Sequence, residues 1–165
     1  MTSTTLGDLI TVENQLSTLI WSREVHARLL ASHGFVEEER HWVWYNHLQA
    51  AVLAVRRLLD LDRRSASLIG LLTTLQQAPE GTWPVAQLAS DLQVLNELRS
   101  ATESFANQYV AHMDRAGPRG PAPGFESIDA AIQAMRTVFL RWRALLTGNT
   151  SAELASEITW STGAA

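Results

Sequence analysis

Along most of the chain, apolar residues return every three or four positions. That spacing lines one face of an α-helix, and nowhere does it give way to the alternation of a half-buried strand. A first segment, about Thr5 to Ser32, sets Leu9, Val12, Leu16, Leu19 and Ile20 on one stripe. A second, about Val36 to Leu61, runs Tyr45, Leu48, Val52, Val55 and Leu59 in three-four steps. A short third, capped by Asp62 or Ser65, carries Leu68, Leu71, Leu72 and Leu75. The fourth opens with Pro84 in its first turn, where a missing N–H breaks no helical bond. It is predicted to run to His112, about 40 Å at 1.5 Å per residue. A fifth, about Ser127 to Thr147, places Ile128, Ile132, Met135, Phe139, Trp142 and Leu146 on its stripe, and Gly148 stops it. Residues 150–160 are expected to add a short, loosely held helix before a frayed end.

Gly34, Pro79-Glu80-Gly81, Trp83-Pro84 and the run GPRGPAPG at 117–124 separate these segments, because glycine and proline interrupt helical hydrogen bonding. Five helices with short connections predict an all-α fold, an up-and-down bundle of about five helices. Residues 1–149 form the bundle and 150–165 a loosely ordered C-terminal tail. The length of 165 residues suits one domain, and a chain this size buries enough surface to need no covalent staple.

Composition narrows the function classes. A net charge of −4 excludes a strongly basic nucleic-acid module but permits a local basic patch. With no cysteine, disulfide scaffolds, thiolate zinc sites and thiol nucleophiles are excluded. With no lysine either, Walker-type phosphate loops, Schiff-base chemistry and Ser–Lys pairs go as well. The first residues lack a basic stretch followed by an apolar run, and no 18 consecutive residues are apolar. The expectation is a cytoplasmic protein with neither membrane nor DNA as a partner.

The segment from Phe105 to Asp114 carries the first candidate chemistry. Gln108 and His112 stand four residues apart on one helical face, and an imidazole with a free pKa of about 6.5 suits general acid/base work near neutral pH. A histidine closing a helix can instead bond the last carbonyls, favoured by the helix dipole. This stretch, A-N-Q-Y-V-A-H-M-D, resembles the R-N-K-x-x-A-H-x-D motif of the HEPN superfamily, in its abortive-infection branch. Upstream, Trp44-Tyr45-Asn46-His47-Leu48, then Arg57-Leu58-Leu59-Asp60, then Ser67-Leu68-Ile69-Gly70-Leu71-Leu72 follow in the order and approximate spacing of the same branch. The similarity covers about residues 10–147.

That resemblance implies a dimeric α-bundle, a metal-independent ribonuclease chemistry without cofactors, and a place in bacterial defence or a toxin–antitoxin pair. Residue by residue it makes His112 the motif histidine and Asn107 its polar companion. The motif arginine has no counterpart, since Ala106 stands there. A guanidinium stabilises charge on the phosphoryl oxygens as the 2′-hydroxyl attacks, and loss of such a donor costs on the order of 10²–10³ in rate. The expected site is therefore degenerate. Arg57, Arg99 and Arg115 are the candidate replacements in an active alternative. RNA contacts are assigned to Arg57, Arg115, Arg119 and Gln108. The expected partners are a second copy of the chain, RNA, and a cognate antitoxin or other defence protein.

Three further features have competing readings. Arg56-Arg57-Leu58-Leu59-Asp60-Leu61-Asp62-Arg63-Arg64 could face phosphates, or Arg57 or Arg64 could pair with Asp60 or Asp62 to balance the helix end, the reading the charge favours. Glu37 with His41, and His26, His33 and His47, suggest a DinB-like metal-dependent bundle, an enzyme of another class. No compact Glu-x-x-His or His-x-x-x-His pair supports it, and no metal is assigned. Of the six tryptophans, Trp42, Trp44 and Trp142 are expected in the core or a subunit interface, with Trp83 and Trp160 partly exposed.

Overall fold

A computed structural model of the chain describes residues 3–32, 34–62, 64–78, 83–106 and 124–154, all of whose regular structure is helical. The elements are α1 (Ser3–Ser32), α2 (Glu37–Leu58), α3 (Leu68–Gln77), α4 (Val85–Phe105) and α5 (Phe125–Thr147). The long helices close a ring in which α1 packs on α2, α2 on α4, α4 on α5 and α5 on α1, and α2 packs on α5 across its middle. The short α3 lies against α1 and α4. Side-chain pairs join the helices. His26 of α1 meets His47 of α2, while Arg23 and Glu13 of α1 bond Asp129 and Arg143 of α5. The two pairs Arg23–Asp129 and Glu13–Arg143 run in opposite order, so α1 and α5 are antiparallel, and Asp91–Arg141 joins α4 to α5.

The predicted stripes form the core, except for Tyr45, which is half-buried and lies outside it. Leu9, Val12, Leu16, Leu19, Leu48, Val52, Val55, Leu59, Ile128, Ile132, Met135, Phe139 and Trp142 are all buried, with the α3 leucines between them. Ile20 and Leu146 pack at its margin. Ends depart from expectation by a few residues, each for a local reason. The third helix is capped by neither Asp62 nor Ser65 but by Ser67, whose hydroxyl accepts from the Gly70 N–H at 3.0 Å and donates to the Asp60 carbonyl at 2.6 Å. Asp60 and Asp62 instead accept the backbone N–H groups of Asp62 and Arg64 across tight turns, which ends α2 at Leu58 rather than Leu61. Pro84 sits one place outside α4 as its N-cap. Gly148, at φ 73°, takes the left-handed conformation that closes α5 and that side chains disfavour.

Residues 149–154 are not helical, a correction to the expected short helix over 150–160, whose remainder lies outside the described residues. They fold back on α5, where Arg143 donates to the carbonyls of Ser151 and Glu153, and Leu154 packs on the core. The expected run of α4 to His112 also passes outside the described residues after Ala106. Among the described residues no helix is long and apolar enough to cross a membrane.

Candidate functional site

His112, Asn107, Gln108, Arg115 and Arg119 lie outside the described residues, as do His33, Arg63 and Trp160. The motif's neighbour is informative. Ala106, where the resemblance would put arginine, is 0% exposed and belongs to the core at the end of α4. Its methyl group fills space among the helices, so this position as folded presents nothing to a substrate.

Of the candidate replacement arginines, Arg99 is held by Glu103 one turn on, at 2.9 Å. Arg57 is exposed on α2 and forms no ion pair among the described residues. Arg64 takes the charge-balancing reading, with two nitrogens on the Asp62 carboxylate. That contact holds the exposed Asp62 carboxyl below its ordinary range. Being solvated, the pair contributes little to stability.

Arg57 lines an open groove of about 630 Å³ between α1 and α2, together with Asn14, Gln15 and Thr18 of α1 and His47, Leu53 and Ala54 of α2. His47, in the groove's lining, also belongs to an aromatic junction absent from the sequence-based expectations. His26 and His47 stack with ring centres 4.0 Å apart and planes 11° from parallel. Phe125 at the start of α5 tilts against both rings and meets Trp44 edge-on. Arg23 lies 3.9 Å over the Phe125 ring and grips Asp129 through two 2.7 Å hydrogen bonds. It also donates to Nδ1 of His26 at 3.3 Å. A guanidinium can only donate, so that contact puts the His26 proton on Nε2. Nε2 of both histidines is buried without a hydrogen-bond partner.

Burial is the main cause that lowers the affinity of both rings for a second proton. Arg23 adds to this at His26, while His26 and then Arg23 add to it at His47, which is lowered to about 4. Both imidazoles are therefore neutral near pH 7, and His47 is too weak a base for general acid/base catalysis there. The junction ties α1, α2 and α5 in register. It also sets a pH dependence. The folded chain disfavours the charged rings, so the unfolded chain takes up protons first as pH falls below about 6.5. Stability is then lost progressively down to about 4. Urea unfolding should record a loss of roughly 2 kcal/mol from this source, after allowance for screening. The His47→Phe variant, which keeps a stacking ring, should lose that part of the pH dependence.

The DinB-like reading requires His, Asp or Glu side chains to converge on one point. Among the described residues no three such side chains do so. His26 and His47 present stacked faces to each other, and His41 stacks loosely near Trp44 and Tyr45. Trp142 is buried and Trp44 partly so, while Trp42 is 67% exposed and so, of the expected core or subunit interface, lies outside the core. Trp83, expected to be partly exposed, is half-buried and packs edge-on to Trp142 at the margin of the core. Comparison with protein families, curated proteins and solved structures finds no match to this chain.

Proposed function

We propose that this chain is a HEPN-like protein of a bacterial defence or toxin–antitoxin system, acting as a dimer that binds RNA or a partner protein through a site that has lost its ribonuclease competence. The observation that carries the loss of catalysis is the burial of Ala106. The position that should bear the phosphate-stabilising guanidinium is instead a small apolar residue packed in the core. The all-helical ring of α1, α2, α4 and α5 agrees with the bundle the resemblance implies. Arg57, exposed and free of ion pairs among the described residues, is the cation best placed to meet a phosphate.

Labelled transfer RNA and mixed cellular RNA, incubated with the protein in chelator, should stay intact. Retention of the RNA in a gel should weaken when Arg57→Ala replaces the natural chain. Cleavage by the natural chain that His112→Ala abolishes would overturn the reading and make the protein an active, metal-independent nuclease using a non-motif arginine. Cleavage that chelator abolishes would point instead to a metal-dependent enzyme.

A further inference from the structure

The first turns of α2 carry an exposed face for which neither the core nor the His26–His47 junction has a use. Trp42 is 67% and Val36 59% exposed, and with His41 and Tyr45 they border an open depression whose acidic edge is Glu37 and Glu38. Positions 38, 41, 42 and 45 recur at three- and four-residue steps, so these side chains share one side of the helix. A tryptophan left this open forfeits the burial that such a ring would gain in a core, and contiguous exposed apolar surface of this kind marks an interaction site.

The charge on this face selects the partner. Glu39 folds back to accept the Val36 N–H at 3.3 Å, which satisfies the helix start. Glu37 and Glu38 enter no ion pair among the described residues and face solvent. Two free carboxylates beside an indole repel phosphate and attract a guanidinium or ammonium, which the aromatic face binds through its quadrupole. Tryptophan and tyrosine anchors rimmed by charge are also the pattern of protein-binding hot spots.

We propose that the Val36–Tyr45 face of α2 docks a segment of a partner protein in which arginine or lysine alternates with apolar residues: cations over Trp42 and against Glu38, apolar side chains against Val36 and Tyr45. The inference concerns a surface apart from the motif site, goes beyond the proposed function, and assigns RNA no role at this face.

A fluorescein-labelled hexapeptide of alternating arginine and leucine, titrated by anisotropy against the full chain, tests it beside a labelled 12-nucleotide oligouridine. The peptide should bind, and Trp42→Ala and Glu38→Lys should each weaken it about tenfold or more. Glu97→Lys, the same charge change on the exposed face of α4, should alter it less than about twofold. All three residues are exposed, so circular dichroism should show each variant folded. Absence of peptide binding, indifference to Trp42→Ala, or an equal loss in Glu97→Lys would overturn the proposal. So would oligouridine binding that Trp42→Ala removes. The two readings fail separately. Oligouridine held through Arg57 sustains the proposed function even where the peptide does not bind, and RNA cleavage overturns that function without touching this face.

Discussion

Replacing Arg143 with alanine should lower the unfolding free energy by about 3–5 kcal/mol, the scale for breaking a buried ion pair from one side. Arg143 is only 2% exposed. One of its nitrogens meets the Glu13 carboxylate at 2.5 Å and the Glu153 carbonyl at 2.9 Å, and another reaches the Ser151 carbonyl. Truncation would take the guanidinium from a largely buried carboxylate on α1 and remove two of the bonds that hold the 149–154 segment to α5, leaving that from Arg136 to the Ala152 carbonyl. The cost is chiefly that of a buried Glu13 charge deprived of its guanidinium, not the intrinsic worth of the pair. The double variant Glu13→Gln with Arg143→Met should accordingly regain a large part of the loss, because removing both charges together removes the desolvation problem. Urea titrations of the three variants check this. A loss below about 1 kcal/mol for Arg143→Ala would mean that water reaches the pair.

Ala106→Arg should destabilise the chain by at least about 3 kcal/mol and bring no ribonuclease activity with it. Ala106 is wholly enclosed at the end of α4, so a guanidinium there must either be buried or push neighbouring side chains aside. If the site were merely a surface position that had lost its arginine, the same substitution would be nearly neutral for stability and could restore cleavage. Urea unfolding and the RNA assay run on one preparation separate these outcomes. A stable variant that cuts RNA in chelator would show that the end of α4 opens to admit the side chain.

The positions of the helices were legible because the pattern that predicts them is also the one that buries them. The three-four spacing of Leu48, Val52, Val55 and Leu59, or of Ile128, Ile132, Met135 and Phe139, has no use outside a helix packed along one side. What periodicity passed over were the polar residues on those same faces. Arg143 stands four residues after Phe139, Asp91 three after Leu88 and four before Leu95, and His26 seven after Leu19, each at a stripe position. All three are buried, and each is matched from another helix: Arg143 by Glu13, His26 by His47, and Asp91 by both Arg141 and the Trp142 indole, whose N–H lies 2.8 Å from it. A polar residue on an apolar stripe was therefore the available signal for a buried pair.

Those partners lie 21 to 130 residues away along the chain, which is why the signal could not be completed from the sequence. Local order depends on backbone bonding and side-chain spacing within a few turns, and both are written consecutively in the chain. By itself the sequence determined the all-helical class, the five segments, most of their core faces and the Gly148 stop. It also determined the lack of cysteine and lysine and the alanine at position 106. Only the tertiary structure decided that this alanine faces the core, that Arg57 opens on a groove beside His47, and that Trp42 is left in solvent. A helix's own periodicity tells which side is apolar. Whether a neighbour covers that side, and with which charge, is set by the packing of α1, α2, α4 and α5 around one another.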